Sequence, residues 1–153
     1  MNPESIIKRA FEVFSQEAPR MTLRHGDALS SYRTITDVDP NITDDTSDLY
    51  LERYQNGLYH LDVQSWRSYL PFLISYSIRH VRSIGPSMVI DIFLSSLRPP
   101  DREPPRLSTI QVDEKKVIVD TLEFLALSKG SEYENIALQV MEEYWIPNST
   151  YGN

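Results

Sequence analysis

Apolar residues recur along this chain with the three- and four-residue spacing of helices. Ile6, Ile7, Ala10, Phe11 and Phe14 form one stripe. Ahead of it Asn2 is a capping residue, Pro3 occupies the favoured first position, and Glu4 complements the positive end of the helix dipole. The pattern predicts a first helix that stops near Ala18, just before Pro19. The strongest pattern runs from Asp62, a second capping residue, to Arg82. Trp66, Tyr69, Leu70, Leu73, Ile74, Ile78 and Val81 repeat at helical spacing. Phe72 and Tyr76 widen the apolar surface beyond one stripe, as in a helix buried on more than one side. Pro71 removes a donor midway, which predicts either a kink or a restart.

Ser83-Ile84-Gly85-Pro86 reads as a break in which glycine closes one helix in a left-handed conformation and proline opens the next. That next helix, from Pro86 to Leu97, would bury Val89, Ile92, Phe93 and Leu97 and form an antiparallel hairpin with its predecessor. The prolines between Arg98 and Arg106 exclude a helix or central strand there. Asp113 is the expected cap of a further helix, with Val112 and Val117 as a hydrophobic staple and Gly130 as its end. Ser131 and Glu134 have capping-box spacing for a last helix bearing Tyr133, Ile136, Ala137, Val140, Met141 and Tyr144. A shorter helix is expected from Ser47 to Asn56, ended by Asn56-Gly57. Residues 19–47 are polar and interrupted by Gly26 and Pro40; they read either as holding a short extended piece from Tyr32 to Val38 or as a flexible linker between the first helix and the rest. The expected fold is mainly α: one compact bundle of about six helices over residues 1–146, followed by a disordered tail over 147–153.

Composition narrows the function. A chain of 153 residues suits one domain with a proper core. The absence of cysteine removes disulfides, thiol catalysis and cysteine-ligated zinc. No basic run precedes an apolar stretch at the N-terminus, and no apolar run approaches a membrane span. The expectation is a cytoplasmic protein with no membrane partner. A net charge of −7 argues against nucleic-acid binding and permits a basic protein partner.

The segment from Asp37 to Asp48 places Asp37, Asp39, Asn41, Thr43, Asp45 and Asp48 at the spacing of a calcium loop. Ile42 stands where the sharp turn needs glycine, and Asp48 replaces the longer bidentate Glu. A solvated acidic loop is therefore expected, with no metal and no cofactor. If a basic partner docks, Asp37, Asp39, Asp44, Asp45 and Asp48 are the first candidates to meet it. His25, His60 and His80 lack the helical pairing of a zinc site. His60 and Asp62 are placed for an acid–base pair, although a turn beside a helix cap explains both. Arg98, Arg102 and Arg106 are candidates for an anion clamp, against the commoner role of solvating a loop or pairing with nearby acids. The glycines are isolated, no serine sits in a nucleophile elbow, and no catalytic residue is expected. Trp66, Tyr69, Tyr144 and Trp145 at helical spacing read as core.

Trp66-Arg67-Ser68-Tyr69-Leu70-Pro71-Phe72-Leu73, Leu97-Arg98-Pro99-Pro100, Phe124-Leu125 and Tyr144-Trp145 resemble a family of small uncharacterised bacterial helical proteins. The resemblance covers residues 45–145. It implies a bacterial, intracellular, helical protein and brings no catalytic residues. Small size, acidity and the lack of catalytic motifs lead to a non-enzymatic protein-binding module, such as an immunity or inhibitor protein for a basic partner. The alternative is a small ligand-binding protein or enzyme using His60, Asp62 and the Arg98–Arg106 region. The sequence leaves the oligomeric state open.

Overall fold

A computed structural model describes residues 2–31, 44–83, 85–147 and 149. They hold seven α-helices: α1 (Pro3–Val13), α2 (Leu23–Ser30), α3 (Asp48–Arg53), α4 (Val63–Arg79), α5 (Val89–Ser96), α6 (Val112–Leu127) and α7 (Glu134–Val140). A 3-10 segment, Gln55–His60, joins α3 towards α4, and a π-turn, Met141–Trp145, extends α7. No strand occurs among the described residues. The extended piece expected over Tyr32–Val38 lies outside them.

The buried helix is α4, packed by α1, α5 and α6. Its Trp66, Leu70 and Ile74 are wholly buried, and Tyr69, Leu73 and Tyr76 nearly so, on several faces of one helix. The helix runs continuously through Pro71, so it does not restart there. Asp62 caps it, accepting from the backbone N–H and the hydroxyl of Ser65. Asn2 likewise caps α1, its Oδ1 2.8 Å from the Glu4 nitrogen.

Helix α1 ends at Val13, short of the Ala18 expected. The Gln16 side chain folds back and donates to the carbonyls of Phe11 and Phe14, which otherwise lack partners at a helix end. The chain that follows is fastened to the polar face of α4. Gln64 Nε2 donates to Ala18 O, Ser68 Oγ donates to Glu17 O, and the Arg20 and Met21 N–H groups donate to Gln64 Oε1 and Ser65 Oγ.

Within the stretch 19–47, where a flexible loop or linker is one of the two expectations, Leu23–Ser30 form α2, whose Thr22 cap accepts from the His25 N–H. Gly26 does not break this helix. It lets α2 approach the 3-10 segment at Gly57 so closely that a methyl on either glycine would fall on the other element's backbone. The same segment corrects the end of the short helix. Helix α3 stops at Arg53, and Asn56-Gly57 lies inside the 3-10 turn.

Three further boundaries move for local reasons. Pro86 opens no helix; α5 starts at Val89. Asp113 is not the cap of α6, because Glu114 reaches back to the Gln111 N–H at 2.7 Å and starts the helix at Val112. Val112 is 89% exposed, so the expected staple with Val117 does not form. The Ser131 hydroxyl donates to Leu125 O and accepts from the Tyr133 N–H rather than capping α7, which begins at Glu134. Gly130, at φ +82°, does close the turn after α6. Trp145 is buried, its Nε1 donating to Leu97 O, and this anchors the C-terminal turn on α5.

Candidate functional site

The acidic segment is engaged by the fold where it is described. Asp44 accepts from the Tyr69 hydroxyl at 2.9 Å and also meets the Tyr50 hydroxyl. These phenols in turn accept from the first N–H groups of α2, Tyr69 from Leu23 at 2.8 Å and Tyr50 from Arg24 at 3.2 Å. Burial, with Asp44 beside them, pushes both phenols well above their ordinary range. Asp44 therefore ties α2, α3 and α4 together. Asp45 is exposed and accepts from the Ser47 N–H. Asp37 and Asp39 lie outside the described residues, as do Asn41 and Thr43 of the calcium-like spacing. Among the described residues no group of carboxylates and histidines is placed to hold a metal ion.

Asp48 is held by the end of α4. Arg79 grips it through both terminal guanidinium nitrogens, at 2.8 and 2.7 Å, and His80 Nε2 lies 2.8 Å from its Oδ2. His80 Nδ1 meets the Ser83 hydroxyl at 3.2 Å, which completes a carboxylate–imidazole–hydroxyl chain. Arg79 already neutralises the carboxylate, however, so it offers little support to a developing imidazolium. The arrangement fits a tether between α3 and α4. The Arg79 hydrogen bonds, helped by His80 against an opposing effect of partial burial, lower the Asp48 carboxyl to about 2. Because the folded value lies below the unfolded one, the tether stabilises at neutral pH and is lost as pH falls from about 4 towards 2. Asp48 is a third exposed and Arg79 nearly half, so the pair's worth is discounted to about 1 kcal/mol. Asp48→Asn is expected to lower stability in urea by that amount at pH 7, with the difference closing by about pH 2. A gap that stays constant with pH would count against the tether.

Two open cavities carry the remaining chemistry. One, of about 400 Å³, is walled by Glu52 of α3, Tyr76 of α4, His80 at the C-terminal end of that helix, Ile90 of α5, and Tyr133. Tyr76 and His80 stand one turn apart, so their rings stack with centroids 4.2 Å apart. The Tyr76 hydroxyl donates to Glu52 Oε2 at 2.6 Å and lies 2.8 Å from Ser87 Oγ. Burial, then the Glu52 carboxylate, pushes the Tyr76 phenol up to about 12. Tyr133 is raised too, by burial and then by the charges of Asp91 and Glu132. Sequence reasoning missed this group. Residues 52, 76 and 133 share no local spacing, and the one available signal was the surplus breadth of the apolar face of α4 at Tyr76.

The second cavity, of about 340 Å³, collects Arg98, Arg102 and Arg106 together with Tyr59 and Ser95. Arg98 faces Glu143 through Nε at 2.8 Å and Nη2 at 3.0 Å. Arg106 is buried beneath the loop. The alternative pair does not assemble: Asp62 is committed to Ser65, and exposed His60 makes no hydrogen bond to it. Trp66, Tyr69 and Trp145 are core residues.

Over residues 4–149 the chain matches the model of a family described as "Family of unknown function (DUF6714)". The chain belongs to this family. The match takes in α1 and the acidic segment as well as the stretch that carries the resemblance. No curated protein and no solved structure matches the chain. Among the described residues no helix is long and apolar enough to cross a membrane.

Proposed function

We propose that this DUF6714 member is a cytoplasmic bacterial binding module, not an enzyme, that recognises a basic protein in the manner of an immunity or inhibitor protein. The observation that carries the reading is the cavity of Glu52, Tyr76, His80 and Tyr133. A carboxylate beside aromatic rings is complementary to a lysine or arginine side chain, which gains a charge-assisted hydrogen bond and ring contact together. Glu52 Oε1 makes no hydrogen bond among the described residues, so it is available to an incoming cation. The net charge of −7 accelerates encounter with a basic surface. Exposed Asp45, with Asp37 and Asp39 in the same segment, extends the acidic character of the chain in the proposed contact.

The test is capture from the native bacterial host with the wild-type chain and with Glu52→Gln as baits, followed by affinity measurement on the partner recovered. A basic protein held about tenfold less tightly by Glu52→Gln is expected, the loss of one charge-assisted hydrogen bond. Recovery of acidic proteins alone, or equal affinity of the two baits, would sink the proposal.

A further inference from the structure

The second cavity has a property that loop solvation does not require. Arg106 is only 4% exposed, yet among the described residues no carboxylate hydrogen-bonds its guanidinium. Its Nη2 donates to the carbonyls of Leu58 at 3.1 Å and Leu61 at 2.6 Å, and its guanidinium carbon lies 5.5 Å from the Trp66 ring centroid. Nε and Nη1 make no hydrogen bond among the described residues. A guanidinium has five N–H donors in a fixed fork, and burying one favours an oxyanion that takes two of them at once.

The nearby carboxylates are committed elsewhere. Asp101 accepts from four backbone N–H groups, those of Arg102, Arg106, Leu107 and Ser108. Partial burial works against its ionisation, but these donors outweigh it and hold the carboxyl below its ordinary value. Asp62 caps α4. Arg102 is exposed, its guanidinium makes no ion pair among the described residues, and its charge acts on Arg106. Burial first, and then Arg102, pull Arg106 down to about 10 against the opposing charges of Asp62 and Asp101, which leaves it cationic at neutral pH. Two arginines that repel each other are thus held at one cavity, whose walls also carry Leu58, Ile92 and Pro100.

We propose that this cavity binds the oxyanion of a small metabolite, a phosphate ester or a carboxylate, with Arg106 as the buried donor and Arg102 closing on the anion from outside. Arg98, paired with Glu143, forms the rim, and the apolar wall receives the carbon part of the ligand. The site shares no lining residue with the Glu52 cavity, so either reading can fail alone.

Thermal unfolding in inorganic phosphate, in citrate and in sodium chloride of matched ionic strength tests the proposal. Phosphate or citrate at about 10 mM is expected to raise the Tm by about 2 °C or more above the chloride control. Arg102→Ala should keep the anion-free Tm and lose most of that rise, whereas Glu52→Gln should keep it. A rise with phosphate alone assigns a phosphoryl ligand, and a rise with citrate alone assigns a carboxylate. No rise beyond chloride, or an undiminished rise in Arg102→Ala, overturns the site.

Discussion

Gly57→Ala is expected to destabilise the protein by about 3 kcal/mol or more, read as a lower urea midpoint with an unchanged slope. The methyl group would lie 2.7 Å from the Asp27 nitrogen and closer still to the Leu23 carbonyl oxygen. Both are backbone atoms of α2, so relief requires moving the helix and not merely turning a side chain. The cost then spreads, because Leu23 is buried and its N–H donates to Tyr69. Gly26→Ala should behave alike, since its methyl meets the Gly57 carbonyl. Gly85 is the control: nothing lies within 4 Å of a methyl there, and Gly85→Ala should be close to neutral. Equal costs at positions 57 and 85 would mean that backbone approach is not what holds α2.

This glycine pair also explains where sequence reading failed. A lone glycine in a polar stretch reads as an interruption, and Gly26 misleads because its partner lies 31 positions away at Gly57. The polar ladder that fastens residues 17–21 to Gln64, Ser65 and Ser68 is equally invisible to apolar periodicity. What was legible was the stripe of α4. Trp66, Leu70 and Ile74 repeat at helical spacing and lie wholly buried, and the surplus breadth at Tyr76 corresponds to a helix packed on several sides. Caps were legible where one side chain serves the nearest turn, as at Asn2 and Asp62. They failed at Asp113 and Ser131, where an adjacent residue or a distant carbonyl competed for the same groups. The candidate sites divide in the same way. Arg98, Arg102 and Arg106 were visible because one loop carries them, whereas Glu52, Tyr76 and Tyr133 meet only through the tertiary fold.

Glu114 is where the second large effect is expected. Its side chain is 4% exposed and serves two elements at once. Oε1 accepts from the Gln111 N–H at the start of α6, and Oε2 meets Arg67 Nη2 of α4, whose Nη1 donates to Thr109 O at 3.1 Å. Glu114→Ala removes the cap and strands a largely buried guanidinium, at a cost of about 3 kcal/mol. Glu114→Gln retains an amide oxygen for the Gln111 N–H but loses the charge opposite Arg67, so a smaller cost, nearer 1–2 kcal/mol, is expected. If the ion pair is the dominant contribution, the double variant Arg67→Met/Glu114→Leu should recover much of the loss, because no unpaired charge remains. If capping dominates, the double variant stays as unstable as Glu114→Ala, and Glu114→Gln lies close to wild type. Urea titrations of these three variants therefore separate the two roles that one carboxylate plays between α4 and α6.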